Sequence, residues 1–298
     1  MIDYEKKNVF HTFTFYKCIP ISNPSILRQR IRKQAANLQI IGTIMLTEEG
    51  INSTISSISL KNLNKIITLL EKRFGKIEFR RSFSEKKPFK RLKVKVRKEI
   101  VPSGTNVTLK KKLSNYIKPE NWDEFIKQDS VITIDVRNNY EVEVGTFSNS
   151  ISPKTKNFRE FNSFIENSRN DFENKKLAIF CTGGIRCEKA SALFSEKGFD
   201  DVYQLEGGIL NYFKKSKDKK NFVGECFVFD DRVTVDKNLK SGDFVQCFAC
   251  RRPISKDDKN RPEYTEGISC HNCINEKSDD DRKRFADRQN QNLLNNKK

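Results

Sequence analysis

Histidine is nearly absent from this chain: 298 residues carry two, His11 and His271. That scarcity argues against a Ser-His-Asp triad and against a two-histidine, one-carboxylate iron site. No glycine-rich flavin or dinucleotide fingerprint occurs, and there is no internal repeat. No run approaches the 18 or so apolar residues of a membrane span, and the opening MIDYEKKNVF lacks the apolar core of a secretion signal. The expected setting is therefore cytoplasmic, with no membrane partner. In a reducing compartment the eight cysteines point to metal binding or thiol chemistry rather than to disulfides. Acids are also in deficit, with 39 Asp and Glu against 57 Lys and Arg, a net charge of +18. A surplus of that size exceeds incidental solubilising charge and suggests a polyanionic partner, nucleic acid first.

What is present suffices for two or three domains, with 36% hydrophobic residues to fill their cores. VFHTFTFY is rich in β-formers; Leu27, Ile31 and Leu38 recur at helical spacing after Pro24; IIGTIMLTEEGINSTIS reads as two strands broken at Glu48-Glu49-Gly50. Leu60, Leu63, Ile67, Leu70 and Phe74 form a second helical stripe that stops at Gly75. The order βαββαβ predicts a ferredoxin-like α+β domain over 1–102, closed by LKVKVRKEI as its last strand. A linker is expected at 103–120. From Trp122 the rhythm changes to VITIDV, LAIFC and DVYQL as strands, with helical stretches around Phe158–Phe164 and Glu188–Glu196, predicting a parallel α/β domain over 121–218. A cysteine-rich module is expected at 219–274, followed by a polar tail at 275–298 that reads as an exposed helix or as disordered chain.

The strongest catalytic signal is CTGGIRCEKA, residues 181–190, between the apolar run LAIF and a helical stretch. A cysteine ending a parallel strand and entering a glycine turn before a helix faces backbone N–H groups and the positive helix end, which lowers a thiol pKa and holds an anion attached to sulfur. Here Cys181 is the candidate nucleophile; Thr182, Gly183, Gly184 and Ile185 form the active loop, and Arg186 supplies a fixed positive charge. Cys187 reads either as a resolving thiol or as a small buried residue of the first helical turn. Asp135 and Arg137 read as an ion pair supporting the catalytic edge of the sheet, with Glu141 as a possible third member.

CFAC at Cys247 and Cys250 and CHNC at Cys270 and Cys273 are separated by 19 residues, the spacing of a closed structural zinc site with four thiolates. His271 sits inside the second knuckle and is expected to face solvent. Between Lys72 and Lys98 stand thirteen Lys or Arg against Glu78 and Glu85, a net +11 interleaved with Phe79, Phe83 and Phe89. Cations among aromatics suit RNA, with phosphate contact and base stacking. The alternative is that the phenylalanines are core and the lysines merely solvate. In LKVKVRKEI, Leu92, Val94 and Val96 fall on one face, leaving Lys93, Lys95 and Arg97 as candidate RNA-binding residues on the other. Arg251, Arg252 and Arg282–Arg288 are a second possible RNA surface or a solvated face.

CTGGIR is similar to the active loop of rhodanese domains; DVRNNYEVEVGTF at 135–147 resembles their Asp-x-Arg…Glu…Gly element, and LEGGI at 205–209 a third. Four residues separate Cys181 from Arg186, where cysteine phosphatases place five, so the loop favours sulfur over phosphate. Thr146 stands where many rhodaneses have histidine. With EEGINSTIS, RNNYEVEVG, CTGGIRCEKAS and the CxxC pairs in this order, nearly the whole chain resembles the tRNA uridine hydroxylases. The resemblance implies formation of 5-hydroxyuridine at the tRNA wobble position, with molecular oxygen as co-substrate and Cys181 as a persulfide-bearing cysteine; it implies tRNA as partner, served by a sulfur donor or reductant. The residues themselves leave open a persulfide sulfurtransferase acting on tRNA or in sulfur relay, and a non-enzymatic RNA-binding adaptor.

Overall fold

The computed structural model describes residues 9–85, 87–105, 107, 109, 115–230 and 232–296. The opening eight residues, Lys86 of the basic stretch, 106, 108 and 110–114 of the expected linker, Asp231, and the last two residues of the tail lie outside this set. The chain divides into two compact units, 1–109 and 110–298.

In the first unit the order is β1 (Phe10–Cys18), α1 (Pro24–Asn37), β2 (Ile41–Thr47), β3 (Gly50–Ser57), α2 (Leu60–Phe74), β4 (Phe79–Ser84) and β5 (Leu92–Val96). Pro24 opens α1 without losing a needed N–H, and the Ser59 hydroxyl accepts the Asn62 N–H at 3.2 Å to cap α2. Leu27, Ile31 and Ala35 of α1 and Leu63, Ile66, Ile67, Leu70 and Phe74 of α2 are buried against Phe13, Phe15, Ile44, Leu46, Ile51 and Ile55 of the sheet. The sheet order is β4-β1-β3-β2-β5, antiparallel except for β2 and β5. This corrects one expectation: the fourth strand of the βαββαβ core is β4, while LKVKV adds a fifth strand on the opposite edge. The sequence hides β4 because exposed Arg81 interrupts the alternation between Phe79 and Phe83, opposite Phe13 of β1. Its guanidinium is held 5.4 Å from the Phe13 ring and 5.3 Å from the Phe79 ring, a cation–π seat in place of an aliphatic contact.

The second unit begins with β6 (Asn115–Ile117) and α3 (Pro119–Phe125), so part of the expected linker is ordered structure. Three residues are too few to show a two-residue period, and β6 is recognisable only by its parallel pairing. There follow β7 (Val131–Asp135), α4 (Asn139–Val142), β8 (Gly145–Phe147), α5 (Phe161–Asn167), α6 (Arg169–Phe172), β9 (Lys176–Phe180), α7 (Ile185–Glu196), β10 (Val202–Leu205) and α8 (Gly208–Lys215). Strands β6-β10-β9-β7 form a parallel sheet. Beyond it come β11 (Phe222–Gly224), β12 (Cys226–Phe227), β13 (Thr234–Val235), β14 (Val245–Gln246), β15 (Pro253–Ile254) and α9 (Asp279–Asn296).

Strand β11 pairs with β8, and Phe222, Cys226, Val228 and Val235 join Trp122, Phe147, Phe180, Ile209 and Tyr212 in one core. The segment after residue 219, expected to belong with the cysteine pairs, thus contributes directly to the core beneath the parallel sheet. Phe147 is its hub, with ring centroids 4.8 Å from Phe180, 4.8 Å from Tyr212 and 5.2 Å from Phe222. No helix among the described residues is long and apolar enough to cross a membrane.

Candidate active site

Cys181 follows the last residue of β9 and is fully buried; α7 begins four residues later. Gly184, at φ 96°, turns the chain in the left-handed region that a side chain disfavours, and its N–H donates to Cys181 Sγ at 3.0 Å. The LEGGI motif holds this loop from behind. Ile209 N–H donates to the Cys181 carbonyl at 3.0 Å and Leu210 N–H to the Thr182 carbonyl at 3.2 Å. A Cβ on Gly208 would lie 2.4 Å from the Cys181 carbonyl oxygen, so glycine there lets the start of α8 approach the loop.

Burial by itself raises the Cys181 thiol. A hydrogen bond from Cys187, the charge of Arg186 and the N–H groups of Gly183 and Arg186 outweigh it and bring the pKa down to about 5. Near neutrality Cys181 is therefore a thiolate. Cys187, also buried, moves the other way: burial first, then its role as donor to Cys181, push its pKa well above the ordinary value. The structure places the two thiols together, with Cys187 as the protonated partner.

Arg186 is clamped by Glu141, its Nη1 and Nη2 donating at 2.5 and 2.8 Å to the two carboxylate oxygens, with both residues buried. The Glu141 carboxylate thus pairs with the loop arginine, and Glu141 meets Asp135 and Arg137 only through its backbone carbonyl, which accepts from Arg137 Nη1 at 3.4 Å. Those two form a separate buried pair at 2.6 Å; Arg137 also donates to the Gly145 carbonyl at 2.6 Å, and Thr146 Oγ1 donates to Asp135 Oδ2 at 2.7 Å. Thr146 completes this network with its hydroxyl. Each buried charge in the pairs has a partner of opposite sign, which burial demands. The Phe227 carbonyl lies 3.5 Å from Thr182 Oγ1. Nothing in local spacing ties residue 227 to a loop 45 residues earlier, so this contact is invisible in the sequence.

The four sulfurs of Cys247, Cys250, Cys270 and Cys273 lie within 4.8 Å of one another. Cys250 to Cys270 measures 3.8 Å and Cys270 to Cys273 3.7 Å. A tetrahedron of zinc–sulfur bonds of about 2.3 Å has edges of about 3.8 Å, so the donors fit a closed four-thiolate ion such as zinc. The Cys250 thiol donates to Cys247, whose pKa falls to about 5 against its burial, whereas burial and the Cys247 charge push Cys270 up to about 12. A cation among the four removes that mutual penalty. His271 turns Nδ1 toward Asp258, 3.5 Å away, and takes no place among the sulfurs.

The tail is helical in α9. Arg282 donates to the carbonyls of Ile274 and Lys277 at 2.7 and 2.9 Å, and Arg288 to those of Phe248 and Gly267 at 2.7 and 3.2 Å. Arg252 is likewise taken up by the Asn272 carbonyl and Glu276. These arginines staple α9 and the knuckles together. In the first unit, Lys93, Lys95 and Arg97 are exposed while Val94 between them is buried, as expected of the basic face. Phe79 is not available to stack a base, since it packs on the core and stacks on Phe13 at 4.4 Å.

Residues 10–100 match the UPF0176 acylphosphatase-like domain, and residues 118–215 match the rhodanese-like domain. Among solved structures, the chain is similar to reduced CoADR-RHD of Bacillus anthracis at 22% identity and a TM-score of 0.28, covering 34% of this chain and 16% of that one. It is similar to a Bacillus halodurans protein at 26% identity and a TM-score of 0.29, covering 35% and 75%. It is also similar to an acylphosphatase from Coxiella burnetii at 13% identity and a TM-score of 0.24, covering 32% and 100%.

Proposed function

For a chain with the domain architecture of the UPF0176 family, an acylphosphatase-like domain followed by a rhodanese-like domain, we propose tRNA modification through Cys181: oxygen-dependent hydroxylation of the wobble uridine to 5-hydroxyuridine. A rhodanese-like domain implies a sulfurtransferase or redox-related role. The observation that carries the proposal is the placement of Cys181: a buried sulfur that accepts the Gly184 N–H at 3.0 Å at the entrance of α7, in a loop closed by the fixed charge of Arg186. That setting stabilises a negative charge on sulfur, as thiolate or as persulfide. The net charge of +18 and the exposed Lys93, Lys95 and Arg97 supply attraction for a phosphate backbone. Inserting one oxygen atom into uracil while the other leaves as water takes two electrons and two protons, so a separate reductant is part of the reaction.

Persulfide sulfur transfer is the second reading, favoured by the four-residue interval between Cys181 and Arg186, one residue shorter than the loop of cysteine phosphatases. Mass spectrometry of tRNA nucleosides decides between them. Deletion of the gene should remove 5-hydroxyuridine, and wild type but not Cys181→Ser should restore it. Loss of a thiolated nucleoside instead would establish the sulfurtransferase. Full restoration by the serine variant would remove Cys181 from the chemistry.

A further inference from the structure

An exposed aromatic ring stands at the rim of the Cys181 loop. Phe229 is 66% exposed although it neighbours two buried residues, Phe227 and Val228. It lies just beyond β12 in the hairpin that β12 makes with β13, where Val228 N–H donates to the Val233 carbonyl and Val233 N–H to Asp230. Val233 sits at φ 64°, a region costly for a β-branched residue, which persists only where its surroundings over-determine it. The Asp230–Arg232 pair at 2.6 Å closes the same turn.

The hairpin holds Phe229 over the active loop. Its ring lies 5.8 Å from the Arg186 guanidinium and meets Phe227 edge-on at 5.1 Å; Phe227 in turn meets Tyr140 edge-on at 5.3 Å. Scattered exposed apolar residues are ordinary on protein surfaces. Phe229 differs in being carried by a hydrogen-bonded hairpin to within 5.8 Å of the arginine of the candidate active site, with most of its surface left to solvent.

We propose that Phe229 is a stacking platform for an unpaired nucleobase of RNA, delivering that base to the Cys181 loop. This rests on the tRNA reading above and adds the residue that grips the base. A largely exposed ring at the rim of the loop suits a flat heterocycle, and base–aromatic stacking accepts any base whose face is free. Duplex RNA offers no such face, so the platform selects looped or splayed nucleotides.

The test uses the full chain and a fluorescein-labelled RNA hairpin whose loop contains uridine, with a blunt duplex of similar charge as control, at one fixed salt concentration. Phe229→Ala should weaken hairpin binding at least fivefold, which is about 1 kcal/mol at 1.4 kcal/mol per decade, and leave duplex affinity unchanged. Phe229→Leu, which keeps apolar bulk but has no ring, should behave like alanine. Phe229→Trp should restore binding, and its fluorescence should be quenched on titration with hairpin, against a background of the chain's single, fully buried Trp122. Wild-type affinity in the alanine variant overturns the platform while leaving the tRNA reading intact. Wild-type affinity in the leucine variant with loss in the alanine variant overturns stacking in favour of a generic apolar dock, as a protein partner would use. A wild-type chain that binds neither RNA overturns the tRNA reading and the platform with it.

Discussion

Replacing Arg186 by alanine tests whether the loop arginine sets the state of Cys181. The guanidinium is buried beside the thiolate and is one of the influences that lower its pKa to about 5. An opposite charge at close range typically moves a pKa by about 1–3, so removing it should carry Cys181 to about 6–8. The variant also strands Glu141, a fully buried carboxylate whose bidentate partner is gone, and that charge pushes the thiol up further. With a pKa of about 7, the ionised fraction at pH 6 falls from about nine-tenths to about one-tenth, and alkylation of Cys181 slows about tenfold. The assay is mass-spectrometric: the rate at which iodoacetamide labels the Cys181 peptide, as a function of pH. Breaking a buried pair can cost about 3–5 kcal/mol of stability, so Arg186→Lys, which keeps charge but loses the planar fork, accompanies it and should shift the profile less. The sign has a counterpart in stability. A thiol that ionises at about 5 when folded and near 9.0 ordinarily stabilises the fold fully above pH 9; this contribution declines as pH falls and is gone below about 5. In Arg186→Ala the window narrows from its acid side. Superimposable alkylation profiles for wild type and alanine variant would refute the reasoning.

Two further expectations concern the other sites. Protein purified without chelator should carry about one zinc per chain, and chelation should unfold the knuckle region, since structural zinc contributes roughly 10–16 kcal/mol in small modules; a metal-free preparation with unchanged hydrogen exchange over 245–275 would contradict the fit of the sulfur tetrahedron. Replacing Lys93, Lys95 and Arg97 with serine should weaken RNA binding across sequences and flatten its salt slope by up to about 0.7–0.9 per lost contact, with an unchanged melting temperature because Val94 keeps its buried place; an unaltered slope would put the RNA surface elsewhere.

What the sequence disclosed follows from how local each device is. The Cys181 loop is written in ten consecutive residues, and glycines at 184 and 208 mark the turns that let strand, loop and helix approach. The sulfur cluster is two short knuckles, so its four cysteines were legible from spacing and the structure brings all four together as a group that could hold a metal. Periodicity exposed α1, α2 and the main parallel strands because each buries a repeating face. It failed for β4, where exposed Arg81 lies over the Phe13 and Phe79 rings between two phenylalanines, and for β6, which is shorter than the pattern that would reveal it. It failed also for partner choice. Glu141 lies four residues from Arg137 and 45 from Arg186, yet its carboxylate forms the long-range pair, because Asp135 and the Gly145 and Glu141 carbonyls already take up the Arg137 guanidinium. The rim is the extreme case: Phe227 and Phe229 reach the loop only because β11 first pairs with β8 and buries Phe222 and Cys226 in the core. A contact reached by such a long detour of the chain, through strand pairing and burial in the core, leaves no periodic trace in the sequence.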